Sequence, residues 1–150
     1  MRDVATVLAG LATASGAAAQ RPSTQEQFCH DLNRIVAAAE ETPQPFYSLE
    51  RSAAAPPTLG FGPRQCFRAG DARRAYWHCH QTLAPEHLGA ERLAEATRAC
   101  LSDAVALPTD MRREARFRVP HAEISISETG GPRAHVGRVV SYIVAADPAK

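Results

Sequence analysis

His78 and His80 are the two side chains whose type and spacing point most directly to chemistry. They sit in an alternating stretch, Ala75-Tyr76-Trp77-His78-Cys79-His80-Gln81-Thr82. On a β-strand, residues two apart project from one face with their Cβ atoms roughly 6–7 Å apart. Two imidazoles so placed can supply two ligands to copper or zinc, with at least one more donor needed from elsewhere. His30, His87, His121 and His135 are the other histidines available for that. The same pattern also serves as a partner-contacting strand, on which Tyr76, His78 and His80 stand together beside Arg73 and Arg74. These five residues form the candidate binding surface. No residue is assigned as catalytic or as a metal ligand, and no cofactor is expected.

Acid–base catalysis needs a carboxylate or histidine pair in a cleft. His121 and Glu123 share one face of an expected strand, and Glu86 adjoins His87 at the start of an expected helix. Glu123 is expected to pair with Arg138, so a salt bridge is its simpler role. The chain has no G-x-S-x-G nucleophile elbow, no G-K-[ST] phosphate loop and no H-E-x-x-H. Gly60-Phe61-Gly62 lacks the third glycine of a dinucleotide loop, because position 65 is Gln. These absences argue against the common hydrolases and nucleotide enzymes. A small hydrolase with an unrecognised site stands as one alternative, and a periplasmic metal-binding protein using His78 and His80 as another.

Cys29, Cys66, Cys79 and Cys100 are 37, 13 and 21 residues apart, with no C-x-x-C. That spacing suits neither a redox pair nor a zinc knuckle. An even number of scattered cysteines in an exported chain reads as two disulfides. The N-terminus agrees. Val4 to Ala14 is an uncharged apolar run, followed by Ser15, Gly16 and Ala17-Ala18-Ala19 before Gln20. This is the layout of a signal peptide over residues 1–19, with a secreted or periplasmic domain over 20–150. No transmembrane segment is expected, since no apolar run reaches about twenty residues.

The whole chain has 150 residues, net charge +1, 45% apolar and 22% charged residues, which suits a single domain. Those values exclude a disordered tail and a polybasic arm, so no nucleic-acid partner is expected. The charge is uneven. Residues 60–82 and 112–140 each carry net +3, and residues 83–111 carry net −3. All cations but Lys150 are Arg. An Arg-rich sheet face could grip an anionic partner through bidentate contacts, or be a solvated surface.

The elements that position these residues follow from periodicity. Phe28, Leu32, Ile35, Val36 and Ala39 recur at helical spacing over residues 23–41, with Ser23 and Glu26 as a capping box. A Pro-rich connection, 42–59, carries Phe46, Tyr47 and Leu49 as anchors. Strands are expected near 61–69 and 74–83, with Trp77 and Cys79 on the buried face. A second helix is expected over 85–104, with Leu93, Thr97, Cys100, Leu101 and Ala104 inward.

The last segment reads as a hairpin of residues 116–128 and 133–145 around Gly130-Gly131. A two-residue turn there would oppose Glu128 to Arg133, Glu123 to Arg138, Val119 to Tyr142 and Phe117 to Val144. The apolar parity changes at Pro120-His121, where a bulge or break is expected. The order α-β-β-α-β-β gives an α+β two-layer sandwich, two helices on one face of an antiparallel sheet. Its strand register favours Cys66–Cys79 with Cys29–Cys100. Sequential pairing, Cys29–Cys66 and Cys79–Cys100, is the rival. The reading as a whole is a small exported module without catalytic activity. It would bind a protein, inhibitor-like in one form, through the sheet face or the 42–59 connection.

Overall fold

The structure, a computed structural model, describes residues 24–71, 73–82, 84, 88–130 and 137–148. The expected signal segment 1–19 and residues Ser23, Glu86, His87, Arg133 and His135 lie outside these. Helix α1 (Thr24–Ala38) buries Phe28, Leu32 and Ile35 of the expected stripe, with Ala38 added; Val36 is only partly buried, and Ala39, buried as expected, lies just past the helix end. Asp31 lies on the same inner face and is only 4% exposed. Its carboxylate accepts hydrogen bonds from the Thr58 and Leu59 backbone N–H groups at 2.9 and 3.2 Å, and from Gln27 Nε2 at 2.9 Å. A buried carboxylate requires such donors, because it has lost its water. The end of the 42–59 connection is thereby tied to α1.

That connection is part of the core rather than a free surface loop. It contains a short helix, α2 (Tyr47–Arg51), and buries Phe46, Leu49, Pro57 and Leu59. Tyr47 does not anchor as expected. It stays exposed, with the Arg51 guanidinium over its ring at 5.2 Å.

Next come β1 (Cys66–Gly70), β2 (Ala75–Gln81), α3 (Ala90–Cys100), β3 (Val105–Leu107), β4 (Glu114–Val119), β5 (Ala122–Thr129) and β6 (Val139–Ala146). The strands form one antiparallel sheet in the order β1-β2-β6-β5-β4-β3. Strand residues of one parity, among them Trp77, Cys79, Phe117, Ile124, Tyr142 and Val144, pack against the helices. The fold is the expected α+β architecture with helices over one face. The element order is fuller than α-β-β-α-β-β, because α2 and β3 are added and the C-terminal part has more strands than one hairpin.

The bulge or break expected at Pro120-His121 is a break: the chain turns there from β4 into β5, with Val119 opposite Ala122 and His121 at φ 64°. The register of the last hairpin differs from the expected one. Glu128 lies opposite Val140, Glu123 opposite Ala145 and Ile124 opposite Val144. Phe117 faces Ile124 on β5, not Val144. A Gly-Gly turn register would have opposed odd to even positions, sending the apolar residues of the two strands to opposite faces. One buried face outweighs a turn preference and two charge pairs.

Both disulfides have the connectivity favoured by the strand register. Cys66–Cys79 joins directly opposed residues of β1 and β2, with Cα atoms 4.0 Å apart. Cys29–Cys100 bridges α1 to the end of α3. Beneath them, the Thr97 and Tyr142 hydroxyls share a hydrogen bond of 2.7 Å, and Thr97 Oγ1 donates to the Leu93 carbonyl. Burial pushes the Tyr142 phenol far above its usual pKa, so this hydroxyl stays neutral. Among the described residues, no helix is long and apolar enough to cross a membrane.

Candidate binding face

The side of the sheet away from the helices carries the residues of the other parity. The register sets them in rows. One row runs Val105, Arg118, Glu123, Ala145, Tyr76, Ala69. The next runs Leu107, Arg116, Ser125, Ile143, His78, Phe67, and the third Glu114, Ser127, Ser141, His80. None of these side chains is buried. Small hydroxyl residues occupy the middle, between an ionic half on β4–β5 and an aromatic–imidazole half on β1–β2.

The ionic half is closed on itself. Arg116 Nε donates to Glu123 Oε1 at 3.0 Å, Arg118 Nη2 to Glu123 Oε2 at 3.0 Å, and Arg118 Nη1 to Asp147 at 2.7 Å. Glu123 therefore pairs with Arg116 and Arg118, not with Arg138 as expected. His121 sits in the turn rather than on the strand beside Glu123, so the suggested acid–base pair does not form. The other suggested pair, Glu86 with His87, falls outside the described residues.

The aromatic–imidazole half is built by a tight turn. Asp71 Oδ1 accepts the Arg73 and Arg74 backbone N–H groups at 2.8 and 3.0 Å, which folds β2 back on β1. Gly70 starts this turn at φ 86°, where an added Cβ would lie 2.0 Å from the Arg74 carbonyl oxygen. Only glycine fits there. The hairpin so formed brings Phe67 opposite His78. The Phe67 ring centre lies 5.4 Å from that of His78 and 5.9 Å from that of His80. Tyr76 stacks beside His78 at 6.2 Å, and the two imidazoles are 5.2 Å apart. Burial, and then the neighbouring His80, hold the His78 imidazole below its ordinary pKa of 6.5. His78 Nε2 and His80 Nδ1 are both shielded from solvent and have no hydrogen-bond partner.

Of the five residues singled out by sequence, Tyr76, His78 and His80 share this face, and Arg73 and Arg74 are exposed in the turn at its margin. Phe67, 41% exposed, was the missing member. Alternation from Cys66 is the signal that would have found it, since its neighbour points inward to meet Cys79. The Arg-rich reading of the sheet narrows. Arg68 belongs to the helix side, where its Nε donates to the Pro45 carbonyl at 2.8 Å. Arg138 donates to the Ala84 carbonyl at 2.7 Å and lies 3.7 Å from Glu128.

A cleft of about 750 Å³ runs along α3 and the 111–115 segment, lined by charges of both signs. Its most enclosed acid, Glu128, accepts the Ala90 backbone N–H at the start of α3 and pairs with Arg113. That carboxylate holds the N-terminal end of the helix. Among the described residues, no group of three or more His, Cys, Asp or Glu side chains could hold a metal ion. No protein-family model matches the chain, and neither a curated protein nor a solved structure matches it at a significant level.

Proposed function

We propose that the chain works after export as a non-catalytic binding module that takes a protein partner on the open face of the sheet. Phe67, Tyr76, His78 and His80 form the centre of that contact. Arg73 and Arg74 at its margin meet acidic groups of the partner. One observation carries the reading: on the uncovered side of the sheet, a half-exposed aromatic–imidazole cluster keeps shielded nitrogens without partners, while the neighbouring ionic half is paired. Aromatic residues and Arg dominate the energetics of protein interfaces, and exposed guanidinium groups fit carboxylates well. Inhibition of a partner enzyme is one form such binding takes. Support for export comes from the signal-like start of the sequence and from two disulfides, which persist in oxidising compartments.

The test is capture of partners from the extracytoplasmic compartment with the wild-type chain and with a Phe67→Ser/Tyr76→Ser variant of equal thermal stability. The reading expects a protein retained by the wild type and reduced at least about tenfold by the variant, the loss expected when an interface anchor is removed. Equal retention by both would overturn it. So would native protein that keeps residues 1–19 and four alkylatable thiols.

A further inference from the structure

We propose that His78 and His80 form a two-histidine site for a zinc-class divalent ion, with its remaining coordination positions open to water or to a donor from outside the chain. The binding-face reading does not require this ion, and the ion does not require a protein partner.

The two rings stand on the same face of β2, with centres 5.2 Å apart and planes inclined by 38°. Two imidazoles sharing a tetrahedral ion through bonds of 2.0–2.1 Å have ring centres about 5 Å apart. A square-planar ion holding adjacent imidazoles would draw the centres to about 4.5 Å. The observed ring-centre spacing is close to the tetrahedral value.

The second observation is chemical. A neutral imidazole has one lone-pair nitrogen and one N–H, and a histidine held for structure usually directs them to protein partners. Here one nitrogen of each ring, His78 Nε2 and His80 Nδ1, is shielded and unpartnered. The residues beside the pair in register are Phe67, Ile143 and Ser141, none of them charged. Hence none of these three immediate neighbours compensates two imidazolium charges or repels an ion; Arg116 and Glu114 stand further along the same rows. Phe67 and Tyr76 wall the pair with apolar surface on either side, and dry walls strengthen coordination by weakening the competition from water. With two protein ligands only, such an ion keeps two tetrahedral positions for water or an outside donor, one more than the single open position of a three-ligand zinc site.

Isothermal titration of the disulfide-bonded chain with zinc chloride at pH 7.5 tests this. One equivalent should bind with Kd below about 100 μM, within the range that calorimetry resolves. His78→Gln and His80→Gln should each weaken binding at least about tenfold, the effect of halving a two-ligand set. His30→Gln and His121→Gln should leave it unchanged. Circular dichroism melts confirm that each variant is folded. Cobalt(II) in place of zinc should give the visible absorption of tetrahedral coordination in the wild type and lose it in the double variant. Absence of zinc binding by the wild type overturns the proposal, as does binding that survives in the double variant.

Discussion

The covered and open faces of the same six strands treat most of their polar groups differently, although Trp77 Nε1 on the covered side is also buried without a partner among the described residues. On the covered side, Asp31 accepts three donors, Thr97 and Tyr142 bond to one another, and Glu128 takes the first N–H of α3. On the open side, Arg116, Arg118, Glu123 and Asp147 form a closed network at one end. At the other end, two imidazoles keep nitrogens that nothing in the described chain satisfies. The difference follows from cost. A polar group under the helices cannot reach water, so an unmet bond there is fully unfavourable. The His78 and His80 rings are only partly buried, so a small ring movement would bring such a nitrogen to an outside partner, whether a protein side chain or an ion. In the proposed reading, stability therefore resides on one face and recognition on the other.

The largest expected effect lies in the helical layer. The Cys29–Cys100 bridge closes a loop with a sequence separation of 71 residues. Replacing both cysteines by Ser should remove about 4 kcal/mol of unfolding free energy, measured by urea titration. A loss under about 1 kcal/mol would mean that the helices are held by their core contacts alone. Next is Asp31→Ala, which leaves the Thr58 and Leu59 N–H groups without their acceptor. It should cost about 2–3 kcal/mol, while NMR shifts of Phe67, Tyr76 and His80 stay in place. A change at the open face would show that the two faces are coupled.

Glu123→Gln cuts the ionic network of the open face, whose members are partly exposed. Its cost should stay below about 1 kcal/mol. A larger loss would make that half of the face part of the scaffold. The smallest effect concerns protons. Because the folded His78 titrates below 6.5, the unfolded chain takes up its proton first as pH falls. Stability should then decline from about pH 6.5 downward until the folded imidazole also protonates. NMR titration should place His78 below 6.5, and His80→Gln should raise it toward that ordinary value. An unshifted His78 would mean the ring is as open to water as any surface histidine.

How much of this was legible depended on how far each signal travels along the chain. Most of the inner stripe of α1, Leu93 and Thr97 of α3, the buried parity of Trp77 and Cys79, and the Cys66–Cys79 bridge are local patterns of period 3.6 or 2, and they read directly; Leu101 and Ala104 do not belong to α3, which ends at Cys100 rather than 104. Phe67 was within reach by the same alternation. Asp31 was not, because its backbone donors lie 27 and 28 residues further on. Nor was β3, since Val105-Ala106-Leu107 is too short to alternate. The last hairpin misled because Gly130-Gly131 is a strong turn signal and two charge pairs agreed with it. The parity of Ala122, Ile124 and Ile126 against Val140, Tyr142 and Val144 was the better guide. Burying one continuous face contributes far more than a pair of surface charges.

The division of labour between the faces is tested most directly by mapping the captured partner's contact on the chain, by hydrogen exchange and cross-linking of the complex. Protection of β1 and β2, with cross-links reaching Phe67, Tyr76 and His80 and none to α1 or α3, is the expected result. Protection centred on the helices, with β1 and β2 exchanging as in the free chain, would contradict it.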